Sequence, residues 1–257
     1  MSAVSPTPSG SDDGCGSLQG CSVLVTGASR GLGAAIARVL GQVGARVAIG
    51  DVAHDRAESH AATLRAEGID AFALPLDVGD AAQAERAVAQ VRERFGRLDA
   101  LVNNAGVGIG APVAETTTKR LDLQLDINLR AMILFYRECA DLLRAAAAER
   151  GTAHVINMAS VTGKSGQPWL SVYSATKGGV VAFTESMNRE LGDSGVKSVA
   201  LCPGYVDTAM TDFIKEQVSP DDMIKTSDIA EAVRFVLRTS RACLVPEIVF
   251  HRLANEL

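Results

Sequence analysis

The chain has 257 residues, 24 of them glycine, with 47% hydrophobic but only 4% aromatic side chains and a formal net charge of −5. That length suits one large α/β domain with a substantial core, and the mildly acidic balance lacks the basic stripe on which nucleic-acid binding depends. No run of about eighteen apolar residues occurs, so no membrane-spanning helix is expected.

The first eighteen residues, MSAVSPTPSGSDDGCGSL, are rich in Ser, Gly and Pro and carry no Lys or Arg. They lack the basic start and apolar middle of a secretory signal and read as a disordered tail, which leaves residues 19–257 as the folded unit. The apolar run CSVLVTG is then a first strand stopped by glycine, and GLGAAIARVLGQVG follows with helical spacing up to Gly44. ARVAIGD is a second strand, residues 55–67 a charged helix, IDAFALPLDV a third strand and residues 80–95 another helix. LDALVNNAG is a fourth strand, and one long helix is predicted over 118–149. AHVINMAS is a fifth strand, and the helix that holds Tyr173 comes next. KSVALCPG is a sixth strand, residues 227–239 a last helix, and a short seventh strand lies near PEIVF.

Strands that are apolar nearly throughout, alternating with helices, predict a parallel sheet covered on both faces: a single-domain, Rossmann-type, doubly wound α/β fold. Ligands of such sheets bind at the carboxyl ends of the strands, which directs attention to TGASRGLG, DV, NNAG, NMAS and CPGYVDT. The five cysteines, at 15, 21, 139, 202 and 243, are scattered and odd in number. Cys21, Cys139 and Cys202 lie in apolar runs where reduced, buried thiols are usual, which suggests a cytoplasmic protein without structural disulfides. The four histidines are dispersed with no metal-ligand spacing, so no metal site is expected.

TGASRGLG places Gly27, Gly31 and Gly33 between the first strand and the first helix, where a tight turn can offer helix N–H groups to a pyrophosphate. The spacing differs from GxGxxG, and a glycine-rich turn without a ligand is the bland alternative. Asp51 ends the second strand at the position where a carboxylate accepts from adenosine ribose hydroxyls and repels a 2′-phosphate; it could instead cap the next helix. Arg30 pulls toward the phosphate, unless it is only a surface charge. Asp77 could reach the adenine edge or cap a helix. The amides of NNAG could stabilise the central turn and line the cleft at once. Asn128 lies inside the predicted long helix, where an amide is a poor choice without a reason. Tyr173 and Lys177 share one helix face, and packing alone can explain such a pair.

Taken in order, TGASRGLG, NNAG, Asn128, Ser160, YSATK and PGYVDT make the chain similar to the short-chain dehydrogenase/reductase family, in its single-domain branch, from about Leu18 to Phe250. The resemblance implies an oxidoreductase that moves a hydride between a nicotinamide cofactor and a secondary alcohol or ketone. It implies a catalytic set of Asn128, Ser160, Tyr173 and Lys177. Tyr173 is then the general acid or base, with a pKa lowered from about 10 by Lys177 and by the nicotinamide's own positive charge. Lys177 holds the nicotinamide ribose, Ser160 orients the carbonyl, and Asn128 supports a relay water. The cofactor would be held by Gly27, Ser29, Arg30, Gly31, Leu32 and Gly33; by Asp51, Val52, Asp77 and Val78; by Asn104, Ala105 and Gly106; and by Pro203, Gly204, Val206 and Thr208, with Tyr173 and Lys177. Asp51 favours NAD over NADP. An NADP(H)-dependent ketoreductase of the 3-oxoacyl type is the alternative, and a non-catalytic dinucleotide sensor is a third reading that the intact Tyr and Lys disfavour.

The ending VPEIVFHRLANEL lacks the Asp-Gly-Gly closure of many relatives, which weakens the parallel with fatty-acid-type reductases. The segment from Thr208 to Thr226 is expected to form a substrate lid with Met210, Phe213 and Ile214 as apolar contacts. Trp169 walls the pocket or packs at a subunit contact, and Lys164 meets an anionic group or stays a surface charge. The substrate is expected to be largely apolar, with no nucleic-acid or membrane partner. Apolar cover around the long helix and the Tyr173 helix suggests a homo-oligomer, a tetramer or a dimer.

Overall fold

The protein is described by a computed structural model over residues 16–253. Seven strands form one parallel sheet: β1 (Ser22–Thr26), β2 (Arg46–Asp51), β3 (Ala71–Pro75), β4 (Ala100–Asn103), β5 (Ala153–Met158), β6 (Val196–Pro203) and β7 (Glu247–Phe250), in the order β3-β2-β1-β4-β5-β6-β7. Seven α-helices join them: α1 (Gly31–Gln42), α2 (His54–Ala66), α3 (Ala81–Phe95), α4 (Thr118–Leu125), α5 (Ala131–Arg150), α6 (Ser171–Leu191) and α7 (Thr226–Leu237). This is the doubly wound architecture that the sequence predicts.

The period-two alternation of the strands decides which helices they hold. Val23, Val25, Val47 and Ile49 share a core with α1, α2 and α7, through Ile36, Leu40, Leu64, Ile229 and Val233. Their neighbours Leu24 and Ala48 point the other way, into a core built by α3 and α5 through Val88, Val91, Phe135 and Leu143. Each such fully buried Leu, Ile or Phe is worth about 1.5–3 kcal/mol, so the two cores clamp the sheet between them. Chain order reverses at β1, which pairs with both β2 and β4, and a crevice opens beyond their carboxyl ends. The opposite ends are pinned by buried Asp99, which accepts from the Ser22 N–H at 2.7 Å and from Arg97 Nε at 3.0 Å.

Two expectations change. The long helix predicted over 118–149 is broken by a π-helical turn, Asp126–Arg130, between α4 and α5. Asn128 sits in that turn with its amide committed to the neighbouring loop, and the widened turn accommodates this commitment. Of the expected tail, residues 1–15 lie outside the described residues. Leu18 is buried in the core, and the Gly16 N–H donates to the Arg238 carbonyl at 3.0 Å. Cys21, Cys139 and Cys202 are buried and free, and Cys243 is free and exposed; Cys15 lies outside the described residues. No helix among the described residues is long and apolar enough to cross a membrane.

Candidate active site

The turn between β1 and α1 is interlocked with the loop that follows β4. Gly27 and Gly31 adopt φ of 64° and 57°, which side chains rarely tolerate. A Cβ on Gly27 would stand 2.9 Å from Ala105 Cα, and one on Gly33 would collide with the Gly27 carbonyl. Asn104 Nδ2 donates to the carbonyls of Thr26 (2.9 Å) and Gly27 (3.1 Å), while Thr26 Oγ1 accepts from the N–H groups of Asn104 and Ala105, both at 3.1 Å. The first asparagine of NNAG has a different task. Buried Asn103 donates to Asn157 Oδ1 at 2.9 Å, and Asn157 in turn donates to Thr184 Oγ1.

Helix α1 begins without a capping side chain and without an acidic residue in its first turn. The Ser29 hydroxyl beside it is buried and has no partner among the described residues. Uncapped N–H groups, a positive dipole end and an orphaned hydroxyl together fit a phosphate-bearing ligand. Asp51 is buried at the end of β2; it accepts from the Ser29 N–H at 3.1 Å and the Ala53 N–H at 2.9 Å, which leaves lone pairs for a ribose. Val52 beside it is exposed, as a face for an adenine requires. Arg30 is exposed at the N-cap of α1. Asp77 is exposed, with Oδ1 accepting from the Gly79 N–H, while Val78 and Val206 are buried, and Val78 lines a cavity with Thr26, Ala105 and Asn128.

At the ends of β4 and β5 the proposed catalytic residues converge. Asn128 and Val107 exchange two hydrogen bonds, both 2.8 Å, so the amide fixes the loop after β4. A Cβ on Gly106 would lie 3.2 Å from Asn128 Oδ1 and 3.7 Å from Lys177 Nζ, which places both side chains against one glycine. Lys177 Nζ is buried, donates to the Met158 carbonyl at 2.7 Å and lies 5.6 Å from the centre of the Tyr173 ring. Burial pushes Lys177 down to about 8. Burial also pushes the Tyr173 phenol up to about 12, against the pull of its hydrogen bond with Ser160. In the protein without cofactor the phenol therefore lies above its ordinary value, because desolvation of the phenolate is the dominant cause.

The sequence model of the short chain dehydrogenases matches residues 22–219. The chain belongs to the short-chain dehydrogenase family. The chain is 39% identical over 199 residues to ketoacyl reductase HetN of a Nostoc species, covering 76% of this chain and 67% of that protein. It is 32% identical over 224 residues to the 3-oxoacyl-(acyl-carrier-protein) reductase FabG of Staphylococcus aureus, covering 84% and 89%. Among solved structures, a 3-ketoacyl-(acyl-carrier-protein) reductase of Brucella melitensis complexed with NADH superposes with a TM-score of 0.83 at 29% identity, covering 91% of this chain and 97% of that one. A short chain dehydrogenase of Burkholderia cenocepacia in complex with NADP gives 0.82 at 31% identity, covering 91% and 98%. As a short-chain dehydrogenase, the protein is an NAD(P)-dependent oxidoreductase of alcohol and keto groups.

The remaining residues expected in this short-chain dehydrogenase site separate clearly. Thr208 Cγ2 comes within 3.8 Å of where a Cβ on Gly31 would stand, so the segment after β6 closes the cleft against the glycine turn. Leu32 packs on the main core, Pro203 accepts from Ser160 Oγ at 3.4 Å, and the Gly204 N–H is bonded to β7 through Phe250. Met210 and Phe213 are exposed on the segment after β6 expected to form a lid, whereas Ile214 is buried with Val218 and Met223 inside that segment. Lys164 is paired with Glu247 at 2.9 Å. Sequence reasoning missed Thr26, whose hydroxyl organises two loops, and His60, whose Nδ1 lies 2.9 Å from the Ala28 carbonyl of the glycine turn. Thr26 stands inside the strand-end motif, so a search for small polar residues beside the glycines finds it. His60 has no local signal, because only packing of α2 under the turn brings it there.

Proposed function

We propose that this short-chain dehydrogenase interconverts a largely apolar ketone and its secondary alcohol with NAD(H), and that Tyr173 moves the proton. The observation that carries the reading is one cluster at the strand ends: half-buried Tyr173 and, a turn further along α6, buried Lys177, which shares the surroundings of Gly106 with Asn128, in a fold whose α1 starts uncapped. The α1 N-terminus and Ser29 would hold the pyrophosphate, Asp51 the adenosine ribose, and Lys177 the second ribose. Bound nicotinamide supplies the hydride for reduction or takes it in oxidation. In reduction Ser160 orients the carbonyl oxygen, and the Tyr173 hydroxyl delivers its proton there as the carbon gains the hydride. A phenol held near 12 is protonated at neutral pH, which is the state that donation requires. In oxidation the same oxygen takes the proton from the alcohol only after it has lost its own, so that direction requires the phenolate and is favoured by rising pH.

Arg30 favours a second reading, an NADP(H)-dependent ketoreductase of the 3-oxoacyl type, because its exposed guanidinium starts α1 close to the Asp51–Ser29 contact. The names of the relatives point the same way. Asp51 outweighs it in our reading, since a carboxylate at the ribose both competes with and repels a 2′-phosphate. Free, buried cysteines support a cytoplasmic setting. Exposed Leu121, Leu123, Leu125 and Ile133 along α4 and α5 support a homo-oligomer, a tetramer or a dimer.

Tyr173→Phe tests the mechanism, since Phe preserves the ring. Turnover should fall by about 10²–10⁴-fold while cofactor affinity is kept. Undiminished turnover on the best substrate ends the assignment.

A further inference from the structure

Trp169 is the only non-glycine residue with positive φ among the described residues, at 69°. For a bulky side chain that conformation is strained, and strain of this kind persists where surrounding contacts impose it. Here the contacts are specific. The Ala111 N–H donates to the Trp169 carbonyl at 2.8 Å. The indole lies directly on Gly110, where a Cβ would overlap three of its ring atoms. Phe213 of the lid meets it with ring centroids 5.9 Å apart and planes tilted by 51°. The other surfaces stay open: Trp169 is 50% exposed and Phe213 54%.

This aromatic pair is continuous with the catalytic phenol. A Cβ on Gly108 would be 3.9 Å from both Tyr173 Cε2 and Met210 Cγ, so the loop after β4 runs from the reacting ring, past Met210, to Gly110 beneath the indole. Met210, Phe213 and Trp169 thus form an apolar track that starts at Tyr173. Two lysines on the flanking segments are already paired, Lys164 with Glu247 and Lys215 with Asp207 and Asp212, and the three side chains of the track themselves carry no charge.

Resting on the oxidoreductase reading above, we infer that Trp169, seated on Gly110 and facing Phe213, is the specificity-determining wall for the arm of the substrate remote from its carbonyl, and that this arm is neutral and apolar, an aryl or alkyl group. Glycine is required at 110 because any side chain there pushes the indole into the path of the arm.

The test compares two methyl ketones with the same reacting group and different arms, benzylacetone and methyl ethyl ketone. The ratio of their kcat/KM values is measured for the wild type, Trp169→Gly and Gly110→Ala, with the dissociation constant for the reduced cofactor as a check on folding. The wild type should favour benzylacetone. Trp169→Gly removes the ring and leaves a residue at ease with positive φ, and it should lower the ratio by about tenfold or more, mainly through KM for benzylacetone. Gly110→Ala should lower it as well; if that variant fails to fold, Trp169→Gly decides alone. A ratio within about twofold of the wild type in a Trp169→Gly protein that still reduces ketones overturns the wall and leaves the proposed function standing. A wild type that binds the reduced cofactor but reduces neither ketone overturns both.

Discussion

Replacing Lys177 by Met removes an ammonium that the fold solvates poorly. Its Nζ is buried and donates to the Met158 carbonyl at 2.7 Å, and burial takes its pKa from 10.5 down to about 8. Between those two values the unfolded chain holds a proton that the folded chain has released. The unfolded state therefore binds more protons there, and the contribution of Lys177 to stability rises with pH across that window and is smallest below it. At about 1.36 kcal/mol per pH unit, the gap between 10.5 and about 8 amounts to about 3 kcal/mol over the full traverse. The Met variant lacks this dependence but leaves the Met158 carbonyl without its donor, at about 1–3 kcal/mol. The two proteins should thus be close in stability near neutral pH, with the wild type pulling ahead by about 2–3 kcal/mol as pH approaches 10. Urea unfolding of both proteins, at one protein concentration and without cofactor, measures the difference at each pH, and titrating groups uncoupled from Lys177 cancel, with Cys202 the coupled neighbour. Stability curves that stay parallel from pH 7 to about pH 10 would show that Lys177 keeps an ordinary pKa in the fold, and the argument from burial would fail.

Titration with each reduced cofactor should show NADH bound at least about tenfold more tightly than NADPH if Asp51 takes the adenosine ribose as proposed; equal or tighter NADPH binding refutes this. Asp51→Ala should narrow the gap, since it removes the repulsion and leaves Arg30. Light scattering at micromolar concentration should report an oligomer, because α4 and α5 leave four large aliphatic side chains exposed; a monomer at that concentration refutes it.

Most of the architecture was determined by local pattern. Seven apolar runs, the first six each followed by a turn motif and a helix with 3.6 periodicity, specify a parallel sheet, because only such a sheet buries strands on both faces. The glycine turn, Asp51 and the Tyr173–Lys177 pair were equally legible, since their spacing along strand ends and one helix face puts them in place whatever the loops do. The tertiary structure alone decided the rest. The break at Asn128 depends on a hydrogen-bond partner, Val107, twenty-one residues away, so helix propensity could not show it. The positive φ of Trp169 comes from Gly110 and Ala111 on another loop, and no turn motif marks it. The environment of the Tyr173 hydroxyl is likewise tertiary: a cation one helical turn away can be read from sequence, but the desolvation that raises the phenol in the protein without cofactor depends on the loops packed around it.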